Sequence, residues 1–81
     1  MNVTVLLFAQ ARDRAGRGHV ALELPDGSRV ADALAAMRRE HPALDPLWPH
    51  LAVAVDGRLA AGDGPLRDGA EIALLPPVSG G

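Results

Sequence analysis

Ala70-Glu71-Ile72-Ala73-Leu74-Leu75-Pro76-Pro77-Val78-Ser79-Gly80-Gly81 is the stretch from which the rest of the chain is best read. Its first six residues are apolar enough for a buried strand. Two prolines then end any sheet pairing, because proline has no N–H and its fixed φ favours a stiff, extended exit. After them the side chains shrink. Gly80 and Gly81 lack a Cβ, so they can enter a channel too narrow for any other residue. The expected organisation is a compact domain over residues 1–75 and an extended arm over residues 76–81 that carries a terminal carboxylate. A frayed end of no consequence is the competing reading.

A closing strand needs neighbours. Val3-Thr4-Val5-Leu6-Leu7-Phe8-Ala9 is β-branched and apolar almost throughout, which suits a central strand buried on both faces. Gln10 to Arg17 is polar and followed by a glycine-rich break, so a turn or one helical turn is expected. His19 to Leu24 alternates as a half-buried strand does, and Pro25-Asp26-Gly27 has turn composition. Ser28 is placed to cap a helix whose face is Val30, Leu34, Met37 and His41, with Asp32 near its positive end. Pro42 should stop that helix near Glu40. Ala43 to His50 reads as a loop with at most one helical turn, Trp48 plugging a gap. Leu51 to Val55 is a strand, Asp56-Gly57 a two-residue hairpin turn, and Arg58 to Ala60 a short return.

The order is therefore strand, strand, helix, strand, short strand, strand. One main helix on one face of a mixed sheet of about five strands accommodates it. The first and last strands are the most continuously apolar and belong side by side in the centre. That is an α+β architecture of the β-grasp, or ubiquitin-like, type.

Composition removes several function classes. There are 81 residues, a formal charge of −2 and no cysteine, one Trp, one Phe and no Tyr. No basic block or aromatic platform for nucleic acid is present. The apolar start is too short to span a membrane and lacks the marks of a signal peptide. A cysteine-free chain suits the cytoplasm. His19, His41 and His50 have no metal-ligand spacing, so no metal site is expected. No phosphate-binding glycine motif is present, so no nucleotide cofactor is expected on this chain. Glu23 with Asp26 reads as a solvated strand end.

The segments Val5-Leu6-Leu7-Phe8-Ala9-Gln10-Ala11-Arg12, Ala52 to Gly57, and Pro65 to Gly81 resemble the MoaD family, the small subunits of molybdopterin synthase. Asp56 stands where that family usually has Asn, and Leu74-Leu75 where aromatics are common. The resemblance implies a sulfur carrier. A MoeB-like activating enzyme, using ATP and Mg, would adenylate the carboxylate of Gly81. A sulfur donor protein would convert it to a thiocarboxylate. A MoaE-like large subunit, in a heterotetramer of two small and two large subunits, would pass the sulfur to the pyranopterin precursor. Gly80 and Gly81 would carry the chemistry, and Pro76, Pro77, Val78 and Ser79 would lie in the partner's channel. The residues allow the same chemistry: adenylation gives a poor electrophile a good leaving group, and without cysteine the terminus is the one place for reactive sulfur. A thiamin-type (ThiS-like) carrier, a ubiquitin-like protein modifier and a plain binding module are the rival readings.

Strand alternation predicts a docking face. Ile72 and Leu74 should point to the helix, and Glu71, Ala73 and Leu75 away from it. Thr4, Leu6, Phe8 and Gln10 should share that open face. With the two strands parallel and adjacent, Phe8 and Leu75 meet where the arm departs, Leu59 extends the patch and Arg12 stands at its rim. A core position for Phe8 is the competing reading.

Overall fold

The computed structural model describes residues 1–76. Strand β1 runs Asn2–Leu7, helix α1 Ala9–Ala15, strand β2 His19–Glu23 and helix α2 Val30–Glu40. A 3₁₀ helix follows over Pro42–His50, then strands β3 (Ala52–Val55), β4 (Arg58–Leu59) and β5 (Glu71–Leu75). The strands form one sheet in the order β2-β1-β5-β3-β4. β1 and β5 are parallel at its centre, and every other pairing is antiparallel. This is the β-grasp arrangement expected from the order of apolar runs.

The core fills the space between the sheet and the helices. Val3, Val5 and Leu7 of β1 and Ile72 and Leu74 of β5 point inward against Val30, Ala33, Ala36 and Met37 of α2. The helix face differs from the expected one. Leu34 is half-buried at the flank, and His41 lies beyond the helix end. Ala33 and Ala36 take the inner positions, their small side chains letting the helix axis approach the sheet. Leu44 and Leu47 of the 3₁₀ helix close the open end of the core. That segment was expected to be mostly loop. Its three prolines deny it regular α-helical bonding, while two inward leucines hold it as a tight helix.

Two further corrections concern helix starts. Ser28 does not cap α2: its buried hydroxyl donates to the Pro25 carbonyl at 2.7 Å. Arg29 is the cap residue, and its N–H donates to the Asp32 carboxylate at 2.7 Å. The free N–H groups of Val30 and Ala31 donate instead to the carbonyls of Gly64 and Gly62. Loop 61–66 is thereby fastened to the helix start. At the other site, β1 ends at Leu7, not Ala9. Ala9 has a φ of 50°, a left-handed conformation costing about 1–2 kcal/mol for a residue with a Cβ. The chain turns there at once into α1, which is two turns long rather than one.

Trp48 is half-buried against the core, and the Arg38 guanidinium lies 5.0 Å from its ring centroid. The hairpin at Asp56-Gly57 has φ values of 49° and 85°, as a type I′ turn requires. Asp56 also accepts the Glu71 N–H at 3.0 Å, tying the turn to the start of β5.

Candidate functional site

The face of the sheet away from α2 is built by register. Leu6 pairs with Ala73, Ala73 with Ala54, and Ala54 with Leu59, so these four form one row across four strands. Ala52 pairs with Leu75, and one step past the Leu7–Leu74 pair Phe8 comes alongside Leu75. A second row of Phe8, Leu75 and Ala52 therefore lies above the first. The alanines keep the middle low, and Leu6, Phe8, Leu75 and Leu59 stand around it.

This dish is open. Phe8 is 42% exposed and Leu59 78%, the two exposed large apolar side chains among the described residues. Phe8 is thus not a core residue. It faces away from the core because it continues the alternation of β1 in extended backbone, one residue past the sealed Leu7, before the chain turns at Ala9 into α1. Thr4, Ala21, Glu23 and Glu71 take the other end of the same face, so the apolar part is confined to the end where β5 finishes. Arg12 lies one turn along α1 from Phe8, with its side chain over Gly18.

Phe8 also forms one wall of a groove of about 310 Å³ on its far side, lined by Gln10, Leu47, His50, Leu51 and Pro76. Pro76, exposed at the end of β5, is where this groove and the dish converge. The groove was not foreseen. Nothing in the alternation of Ala43 to Leu51 tells which strand end a proline-rich helix will pack beside.

The structure thus brings Phe8, Leu75 and Pro76 together, sets Leu59 at the far side of the same dish, and sets Arg12 beside it. Pro77, Val78, Ser79, Gly80 and Gly81 lie outside the described residues. Among the described residues no three His, Asp or Glu side chains converge as metal ligands, and no helix is long and apolar enough to cross a membrane.

A ubiquitin-like β-grasp body with an apolar face at the exit of its central strand defines a class of protein, not yet a family. The chain belongs to the ThiS family, whose model matches residues 5–81. It is 37% identical, over the full length of both chains, to the molybdopterin synthase sulfur carrier subunit of Chlamydomonas reinhardtii. The crystal structure of small archaeal modifier protein 1 from Haloferax volcanii superposes with a TM-score of 0.89 at 35% identity, covering all of both chains. A chain from the Helicobacter pylori complex of subunits 1 and 2 of molybdopterin-converting factor superposes with a TM-score of 0.73 at 29% identity, again over all of both.

Proposed function

We propose that this chain is the sulfur carrier subunit of a molybdopterin synthase, with residues 1–75 as its folded domain and residues 76–81 as the reactive arm. The observation that carries the proposal is the open apolar dish at the end of β5. A carrier must be gripped by its enzymes while its terminus is left free, and a docking face beside the root of the arm allows both. The sequence relative from Chlamydomonas and the complex from Helicobacter favour the same reading.

In this reading the Gly81 carboxylate attacks the α-phosphorus of ATP on a MoeB-like enzyme, and pyrophosphate leaves. Hydrosulfide released by the donor protein then attacks the acyl carbon and AMP leaves, so the new C–S bond makes the terminus a thiocarboxylate. The thiocarboxylate enters a MoaE-like large subunit through residues 76–80 and gives its sulfur to the pyranopterin precursor. Phe8, Leu75 and Leu59 make the contact, with Arg12 at its edge, in an assembly of two small and two large subunits in the cytoplasm. ATP and Mg belong to the activating enzyme.

A second reading is a protein modifier, favoured by the likeness to the archaeal modifier. The 81 residues include eight arginines and no lysine, so such a modifier could be joined to other proteins but not extended through its own side chains.

Intact mass after incubation with the activating enzyme, ATP and a sulfur source tests both. A carrier gains the difference between sulfur and oxygen. A modifier appears on lysines of other proteins, and a plain binding module is unchanged. Removing Gly81 should abolish sulfur transfer without altering the melting temperature. Retained transfer by the truncated chain would refute the carrier reading.

A further inference from the structure

We infer that the outer edge of β2 is a self-recognition surface, through which two copies of this chain join their sheets. The parity of the β1–β2 ladder decides which groups that edge offers. Leu24 N–H donates to Met1 O at 2.9 Å, the Met1 amine donates to Leu24 O at 2.7 Å, and Leu7 N–H donates to Gly18 O at 2.9 Å. Those pairs exchange bonds with β1, and so, by alternation, do Val3 with Leu22 and Val5 with Val20. The N–H and C=O groups of His19, Ala21 and Glu23 therefore point away from β1. β2 is an edge strand, and none of these six groups has a hydrogen-bond partner among the described residues.

Edge strands are commonly blunted by proline, a bulge or an inward charge. β2 has none of these, and its centre is an exposed alanine. Its sequence is His19-Val20-Ala21-Leu22-Glu23. Antiparallel pairing with a second copy about Ala21 sets Ala21 opposite Ala21 and Val20 opposite Leu22. It also sets His19 opposite Glu23 at both ends. All six outward groups are then satisfied, and both directly opposed polar pairs join a carboxylate acceptor to an imidazole donor. Shifting the centre to residue 20 or 22 loses part of the ladder and separates these pairs. The strand is thus complementary to itself in one register.

The geometry keeps both sites usable. Neighbouring antiparallel strands are related by a two-fold axis normal to the sheet, so both apolar dishes lie on the same side. The two β5 strands are five strand spacings apart, roughly 24 Å, and run in opposite directions, so they finish at opposite ends of the joined sheet. The interface is small and chiefly backbone, which gives a weak, concentration-dependent dimer.

Sedimentation velocity over a rising concentration series of the full chain tests this. The wild type should shift from monomer toward dimer. Ala21→Pro removes an outward N–H and nothing from the β1 ladder, so the monomer keeps its circular dichroism spectrum. By symmetry the dimer loses two hydrogen bonds, and association should weaken about thirtyfold. Glu23→Lys should also weaken it, and adding His19→Glu should restore it by exchanging the charges. That pair of variants decides the matter if Ala21→Pro does not fold. Phe8→Ser, on the dish, should dimerise as the wild type does. A wild type that stays monomeric throughout, or a dimer that ignores β2 changes but dissociates with Phe8→Ser, overturns the inference.

Discussion

Leu74 and Leu75 are neighbours on β5 with opposite employments. Leu74 is fully buried under α2, while Leu75, one residue on, is half-exposed beside Phe8. The same split runs along β1, where Leu7 is sealed and Leu6 and Phe8 face outward. Side chains of one type, on one strand, thus serve either folding or contact according to parity alone. In a sheet this small, the open face has to remain polar to stay solvated. The dish departs from that rule only at the end where β5 finishes, and an apolar group confined to one end of an otherwise polar face is what a contact surface looks like.

The largest effect expected is on the buried side. Leu74→Ala should cost about 2–5 kcal/mol of stability, through lost transfer energy and the cavity left under α2. Denaturant titration measures it. A loss under about 1 kcal/mol would mean that the inner face collapses readily around a hole and that the two faces are less different than their exposures imply.

On the open side the order of effects should reverse. Leu75→Glu and Phe8→Ser should leave the melting temperature nearly unchanged, since both positions already meet water. Each should weaken binding to the large subunit by about 2 kcal/mol, or about thirtyfold, as truncation at an interface centre does. Titration calorimetry beside thermal melts separates the two quantities. Leu59→Ser should act in the same sense but under tenfold, because so exposed a side chain at the rim desolvates little. If Leu59 proves the stronger contact, the interface is centred on the β4 edge and not on the end of β5.

The split between faces was readable from the sequence because parity is a local property. Glu71 marks the outer face of β5 and Thr4 that of β1, and every other residue follows. The adjacency of the two strands was readable too, since their large β-branched and leucine side chains make them the most heavily apolar runs, whereas β3 is half alanine. What escaped was set by contacts distant in sequence. The capping of α2 by carbonyls of loop 61–66 has no signature near Ser28, so the serine looked like the cap. The left-handed turn at Ala9 has no glycine to announce it, and the apolar run alone carries the strand on through Phe8 to Ala9. Periodicity favours the bulkier Leu34 and His41 over Ala33 and Ala36, because it weighs large side chains, and here the closest approach of helix to sheet needs small ones. The groove beside Pro76 depends on where the 3₁₀ helix packs, which no periodicity encodes.

The smallest effect on the folded body is expected from Gly80→Ala. The residue comes five positions after β5 ends at Leu75, so a methyl group there should change stability by less than about 0.5 kcal/mol. If the arm has only to be flexible, alanine should also react at the wild-type rate, since it restricts an unpaired chain little. If the arm has to pass through a channel fitted to a backbone without side chains, the Cβ has no room, and adenylation or sulfur transfer should slow. Single-turnover rates of the two steps, measured separately, distinguish these cases and say which partner imposes the restriction. Slowing in adenylation alone assigns the narrow channel to the activating enzyme, and slowing in transfer alone assigns it to the large subunit. Wild-type rates in both would show that neither partner needs the missing Cβ at Gly80, and that the glycine supplies only flexibility.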